Sequence, residues 1–391
     1  MFAINYENCT GCGACVQRCP KQCISWTTKE FDFLYPQVDE ATCINCGLCE
    51  KVCPIDKELK TPIVQKTYAA VHKDSSVLGK STSGGAFTAL ADTIFFQGGV
   101  VYGAAMLNGM QVKHIRTENR TALAELRSSK YLQSDTETTY QMVEQDLKQG
   151  KVVLYSGTPC QIDGLKCFLR KEYENLYTAD IVCHGVGSQA YFDKYMDFAK
   201  ERYGKIKALR FRAKEYAGWS CGGVVVVVGT SNSEKKIPYR DFDNYYYSYF
   251  LSGDIYRKCC YSCKYANTKR VGDFSLGDYW GVEALKLPLQ TENGCSLLLV
   301  NNDRAEKLLE TVVDLDKVET TIEQAAHCNK QLNEPSRLPE SRQKRIEEYV
   351  SMSGRQIQKV YLRTHRRIVA KGKLKALMPY KLKLLIRSKR K

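Results

Sequence analysis

Cys9, Cys12, Cys15 and Cys19 form a C-x-x-C-x-x-C-x-x-x-C run that Pro20 follows. Cys43, Cys46, Cys49 and Cys53 repeat the run, with Pro54 behind them. Three thiolates separated by two residues each can wrap three corners of an iron–sulfur cube. The fourth, on the turn that ends at proline, reaches the neighbouring cube; this is the bacterial ferredoxin spacing for paired 4Fe–4S clusters. The spacing predicts Cys9, Cys12, Cys15 and Cys53 around one cluster, and Cys43, Cys46, Cys49 and Cys19 around a second. A pair of zinc knuckles is the competing reading, but zinc usually takes two well-separated pairs of ligands. Gly11, Gly13 and Gly47 are expected to relieve crowding where backbone passes close to inorganic sulfur. Cys23 reads as a small buried hydrophobe. A module of about 60 residues buries little core, so it depends on its clusters to fold.

Other cysteines depend on elements to bring them together. From residue 151 the pattern is strand, loop, helix, twice over. Residues 151–155 read as a strand, 157–160 as a loop and 162–172 as a helix; residues 177–182, 183–185 and 189–202 repeat the order. Loops at the carboxyl ends of parallel strands line one edge of a sheet, where ligands bind. Cys160 and Cys183 both occupy such loops. Cys260 and Cys263 form a C-x-x-C and would complete a set of four thiolates. Four unconnected cysteines is a reading equally open on spacing alone, because Cys167 and Cys295 stand isolated. Residues 57–66 read as a linker, 68–71 and 100–105 as strands, 85–96 as a helix closed by Gly98-Gly99, and 224–228 as a valine-rich core strand.

The chain has 391 residues, eighteen cysteines and a formal net charge of +15. Nine of the cysteines fall in the first 53 residues. Residues 351–391 hold fourteen Lys and Arg and no Asp or Glu, leaving +1 over the first 350. There is no apolar run of eighteen residues and no secretory leader pattern at the N-terminus, so the expected location is the cytoplasm. That compartment is reducing, which favours metal or redox chemistry over disulfides. The hydrophobic fraction of 43% is too high for a disordered chain.

The middle and C-terminal parts resemble the beta subunit of coenzyme F-420 hydrogenase/dehydrogenase. The carrying residues are Ser81-Thr82-Ser83-Gly84-Gly85-Ala86-Phe87, Ser129-Lys130-Tyr131-Leu132-Gln133-Ser134, Gly157-Thr158-Pro159-Cys160-Gln161 and Cys183-His184-Gly185. Cys260-x-x-Cys263 and Arg270-Val271-Gly272-Asp273 through Gly277-Asp278-Tyr279-Trp280-Gly281 complete them. The resemblance implies a multidomain α+β and α/β chain. A two-cluster ferredoxin-type domain would span 1–60, a beta-subunit N-terminal-like region 67–150, a C-terminal-like flavin and iron–sulfur region 151–330, and a basic helical tail 331–391. It implies FAD, with Ser81, Ser83, Gly84, Gly85, Lys130, Gln133, Ser134 and Thr158 as contacts. Small residues before a helix let backbone N–H groups approach a phosphate; an ordinary helix cap is the alternative. The resemblance also makes Cys160, Cys183, Cys260 and Cys263 ligands of a third 4Fe–4S cluster, with Cys259 as the adjacent alternative.

The implied function is an oxidoreductase. A ferredoxin or similar low-potential donor would feed the clusters, and FAD would pass electrons to an organic substrate; the alternative is a relay subunit of a larger complex without its own substrate site. His184 is the candidate proton donor. Asp273 and Asp278 read as turn residues. Related chains fused to a ferredoxin module resemble those associated with bacterial surface-polysaccharide synthesis, which implies a sugar- or lipid-linked substrate. The family name does not imply that coenzyme F-420 is used.

In the basic tail, apolar residues recur at Ile357, Tyr361, Ile368, Leu374, Leu377 and Met378, then at Leu382, Leu385 and Ile386. This spacing predicts amphipathic helices that lie on an anionic membrane surface, placing the protein at the inner face of the cell membrane. The alternative is a solvated tail or a helix packed on the core; nucleic acid is the weakest reading, because stacking aromatics are nearly absent beyond Tyr361.

Overall fold

A computed structural model describes residues 5–59, 64–107, 110–229 and 232–377. The N-terminal unit is a hairpin of β1 (Ile24–Lys29) and β2 (Phe33–Val38), paired from Ile24 opposite Val38 to Lys29 opposite Phe33. Short helices at Ala14–Arg18 and Leu48–Lys51 flank it. Gly13 and Gly47 precede these helices with φ of 83° and 69°, a left-handed entry that L side chains disfavour.

The body is built on an eight-stranded sheet. Its strands are β3 (Lys66–His72), β4 (Val100–Met106), β5 (Val112–Thr117), β6 (Val153–Gly157) and β7 (Leu176–Ile181), joined by three late ones. Between them in sequence, β8 (Ile206–Arg210), β9 (Gly222–Val228) and β10 (Glu234–Arg240) form a separate antiparallel sheet. The late strands are β11 (Phe274–Asp278), β12 (Ser296–Val300) and β13 (Leu315–Thr320). The order is β13-β3-β12-β11-β7-β6-β4-β5. Pairing is parallel along β4-β6-β7-β11 and antiparallel elsewhere. The chain is thus a mixed α/β molecule with a large mixed sheet; the predicted strands at 68–71 and 100–105 lie within β3 and β4, while β6 starts two residues later than the predicted 151–155 and β7 ends one residue before the predicted 177–182.

Two strand–helix units position the candidate site. After β6, Thr158 accepts a cap from Gln161 in a capping box, and Pro159 opens a helix that runs to Leu169. The sequence predicts this helix at 162–172; the capping box starts it earlier, and the left-handed Arg170 ends it. After β7, Ser188 caps the helix Gln189–Tyr203. The aromatic stretch is a helix, Tyr245–Leu251, whose tyrosines are buried against Tyr191, Tyr195 and Phe211.

Through residue 364 the C-terminal part packs on the core rather than presenting its apolar face outward. Helices Arg342–Ser351 and Gly354–Thr364 dock on the body. Ile357 and Tyr361 are fully buried there, and Gln358 takes the Tyr245 N–H and donates to the Asp243 carbonyl. Their apolar stripe faces the protein rather than a membrane. The helix Arg366–Leu377 follows, with Ile368 58% and Leu374 64% exposed. Met378, Leu382, Leu385 and Ile386 lie outside the described residues. No helix among the described residues is long and apolar enough to cross a membrane.

Candidate iron–sulfur site

The structure gathers the eight N-terminal thiols into two groups. Cys9, Cys12, Cys15 and Cys53 line one cavity of about 30 Å³, with Gly11, Trp26 and Pro54. Cys19, Cys43, Cys46 and Cys49 line a second of about 90 Å³. The two short helices cause this exchange. The first carries Cys15 toward one cavity and ends at Cys19 in the other; the second carries Cys49 to one and leads into Cys53 at the other. Cys23 is buried as expected, but it also lines the second cavity, with its sulfur 3.3 Å from that of Cys19.

Burial pushes the Cys9, Cys12, Cys15 and Cys53 thiols up from their ordinary range. Buried thiols of this kind stay neutral until a cation offsets the cost of the thiolate, which a metal centre does on binding. The donor set therefore fits iron–sulfur clusters. Gly11 and Gly13 line the first cavity and Gly47 the second, and the first two have a further role. A Cβ on Gly13 would lie 2.6 Å from the Thr136 hydroxyl, and one on Gly11 would lie 2.9 Å from Arg257 and from Gln133. Both are needed where the module meets the body.

Cys160 and Cys183, at the ends of β6 and β7, share a cavity of about 220 Å³ with Cys259, Cys260 and Cys263. The 3-10 turn Lys258–Ser262 brings in Cys259 and Cys260, and Cys263 follows at its end. Burial raises Cys160, Cys183 (to about 12) and Cys263. The Thr158 hydroxyl lies 3.1 Å from the Cys160 sulfur. Thr10 and Ile55 line both this cavity and that of Cys9.

A larger cavity of about 310 Å³ adjoins it, sharing Thr158, Cys160, Cys183, His184, Gly185 and Val186. Ser81, Ser83, Gly85, Lys130, Gln133, Ser134 and Thr158 line it, as does the first turn of the helix Ala86–Phe96. Gly85, with φ of 90°, has no side chain to cap that helix, and the Ser296 hydroxyl accepts the Ala86 N–H at 3.4 Å. Gly84 does not line the cavity. It wedges against β3 and β12, where a Cβ would overlap the Ala70 carbonyl.

Several of these polar groups already have partners. Ser83 donates to the Cys295 carbonyl, and Ser81 to that of Val77. Lys130 donates to the carbonyls of Glu125, Leu126 and Arg127, closing the helix Arg120–Leu126, and burial lowers its pKa to about 7. The Gln133 amide faces the ferredoxin-type module, donating to the Thr10 carbonyl at 2.8 Å and accepting from Arg257. The His184 ring makes no hydrogen bond among the described residues, and burial holds its pKa below the usual imidazole value.

Asp273 sits in the bend that leads into β11, whereas Asp278 is the last residue of that strand. Asp273 is buried, accepting from the Thr178 backbone and hydroxyl and from Arg304. Asp278 lines the large cavity, where it accepts from Arg212 and from the Trp219 indole. Two residues of the site carry no sequence motif. His114 also lines the large cavity; its Nε2 lies 3.0 Å from the Ser156 carbonyl, so Nε2 carries the proton and Nδ1 faces the Ser134 hydroxyl. Burial depresses its pKa to about 4, keeping it neutral. Arg257 is fully buried between the Cys9 loop and the third thiol cavity, and its sole sequence signal is a cation two residues before Cys259.

Comparison with known proteins agrees with the two halves of this arrangement. Residues 150–325 match the family described as the C terminus of the Coenzyme F420 hydrogenase/dehydrogenase beta subunit. Residues 8–57 match the 4Fe-4S dicluster domain. An uncharacterized ferredoxin of Methanocaldococcus jannaschii is 39% identical over 51 residues, which is 13% of this chain and 65% of that protein. The chain thus spans somewhat under two thirds of the curated relative that it matches. A chain of the F420-reducing [NiFe] hydrogenase complex from Methanosarcina barkeri superposes with a TM-score of 0.45 and 15% identity, over 75% of this chain and 94% of that one. The chain thus joins a segment similar to the 4Fe-4S dicluster domain to one similar to the C terminus of the Coenzyme F420 hydrogenase/dehydrogenase beta subunit.

Proposed function

We propose that this iron–sulfur protein is a flavin-dependent oxidoreductase that takes electrons from a ferredoxin-type donor and delivers them to an organic substrate in its large cavity. One observation carries the proposal. The cavity of Cys9, Cys12, Cys15 and Cys53 adjoins that of Cys160, Cys183, Cys260 and Cys263, which in turn adjoins the large cavity through shared lining residues. Clusters in the thiol-lined cavities handle single electrons, and FAD when bound supplies the conversion to two-electron chemistry. The first turn of the helix Ala86–Phe96 lines this cavity and turns its positive dipole end toward the flavin phosphates. His184 stands where the third thiol cavity meets the large one, a place suited to holding a substrate proton. Cys46 is exposed, so electrons enter at the second N-terminal cluster.

The test is anaerobic purification followed by iron and flavin analysis. The expected content is about twelve irons, four for each set of four cysteines, and stoichiometric FAD. Purified protein without FAD would sink the proposal. Reoxidation of the reduced chain by an acceptor, with no other protein added, separates a reductase from a relay; nucleotide sugars and the deazaflavin coenzyme F-420 head the panel.

A second reading concerns location. The exposed Ile368 and Leu374 on a helix bearing Arg366, Arg367, Lys371 and Lys373 favour contact with an anionic membrane surface. Deleting residues 366–391 is expected to abolish co-sedimentation with vesicles rich in anionic lipid, and unchanged binding would defeat this reading.

A further inference from the structure

Arg257 is 1% exposed, and its guanidinium stays charged at any working pH. Burying such a charge is costly unless it is paired. Yet no carboxylate lies within ion-pair distance of it among the described residues. Its contacts are neutral. Nε donates to the Cys9 carbonyl at 2.7 Å, Nη2 to the Leu34 carbonyl at 3.0 Å, and Nη1 to the Gln133 amide oxygen at 3.1 Å. The ring of Tyr35 covers it at 4.0 Å. One further contact points to the partner of this charge: Nη2 lies 3.8 Å from the Cys9 sulfur. Arg257 also lines the cavity of Cys160, Cys183, Cys260 and Cys263.

A 4Fe–4S core with four thiolates carries net negative charge, and one-electron reduction makes it more negative. We infer that Arg257 is the buried counter-charge of the cluster held by Cys9, Cys12, Cys15 and Cys53, and that it raises that cluster's reduction potential. The inference rests on the proposal that these four cysteines hold a cluster. The reasoning is Coulombic. A fixed positive charge in a low-dielectric site stabilises the reduced form more than the oxidised form. Hydrogen bonds to cluster sulfur act in the same direction and are a recognised lever on cluster potential. Arg257 comes from the body, outside the ferredoxin-type motif. The N-terminal module therefore reaches its working potential only when docked, with Gln133 and the Cys9 carbonyl holding the guanidinium in place. The first cluster becomes the station at which an electron rests before it moves to the third.

The experiment is an anaerobic redox titration of the full chain, followed by electron paramagnetic resonance with iron analysis alongside. In Arg257→Gln, the reduction equilibrium of the Cys9 cluster is expected to fall about tenfold, a shift of about 59 mV to lower potential for one electron, with a smaller fall at the third, whose cavity Arg257 also lines, and none at the second N-terminal cluster. Arg257→Lys keeps the charge and is expected to stay within about threefold of the unaltered chain. A purely structural role would alter iron content or stability but leave the midpoints in place. Iron-replete Arg257→Gln with unshifted midpoints overturns the inference. If Arg257→Gln does not retain iron, Gln133→Glu serves the same purpose. Its carboxylate would offset the guanidinium and lower the same midpoint, and an unshifted midpoint there overturns the inference as well. An unaltered chain with no 4Fe–4S signal defeats the cluster proposal itself, a separate and recognisable failure.

Discussion

Gly164 faces Cys12 across the boundary between the ferredoxin-type module and the body. A Cβ placed on it would lie 2.9 Å from the Cys12 sulfur and 3.1 Å from the Tyr140 hydroxyl. Gly164→Ala is expected to push Cys12 aside and destabilise the protein by about 1–3 kcal/mol. Thermal unfolding reads the stability, and the resonance signal of one cluster should broaden or weaken; an unchanged signal would show that Cys12 has room to move. In the sequence Gly164 is a glycine inside a helical pattern, with nothing to distinguish a close approach from a tolerated defect. The same limit applies to Gly11 and Gly13. Their presence within the cysteine run is legible, but the neighbours that require them, Arg257, Gln133 and Thr136, are brought there by the body. Cys23 was legible as buried, while its contact with Cys19 depends on how the backbone turns back after Pro20.

At the scale of elements, the parallel centre of the sheet is tied by buried carboxylates. Asp273, at the head of β11, accepts from the Thr178 N–H at 2.7 Å on β7 and from Arg304. Asp180 on β7 pairs with the fully buried Arg270 and accepts from the Gly272 N–H at 2.7 Å. Burial pushes Asp273 up, but Lys166, Arg304 and the Thr178 hydrogen bonds outweigh it and hold the carboxyl below its ordinary value. A carboxylate depressed on folding contributes stability that is full above its unfolded pKa of about 3.9. That stability is lost as pH falls through the lower folded value. Asp273→Asn is expected to cost about 3 kcal/mol at pH 7, and to flatten the acid limb of stability below about pH 4. Denaturant unfolding at a series of pH values checks both. Strands β6 and β7 and the helices after them were legible because apolar runs and polar loops alternate there. β10, Glu-Lys-Lys-Ile-Pro-Tyr-Arg, was not: it is a largely exposed edge strand, where neither burial nor alternation is strong and proline is tolerated.

For the whole molecule, the docked C-terminal helices join the body's aromatic core. Tyr361 lies against Tyr249 at 5.5 Å between ring centroids, and its hydroxyl donates to the Phe242 carbonyl. Removing residues 353–391 strips the fully buried Ile357 and Tyr361. The expected loss is about 4–6 kcal/mol, a fall of roughly 10 °C in Tm. Removing 366–391 leaves both residues in place and should change Tm far less, so the two truncations separate structural burial from surface contact. The sequence by itself determined which eight N-terminal thiols would gather in fours, because short turns and fixed spacing limit what each sulfur can reach. It also determined that Cys160 and Cys183 would share an edge, since two successive strand–helix units in one parallel sheet present their loops on the same side. Only the tertiary structure decided that Cys260 and Cys263 meet them, that the resulting cavity opens between the ferredoxin-type module and the large cavity, and that Arg257 fills the junction. These are contacts between segments far apart in the chain. Sheet order and domain docking bring them together, and local spacing carries no record of either.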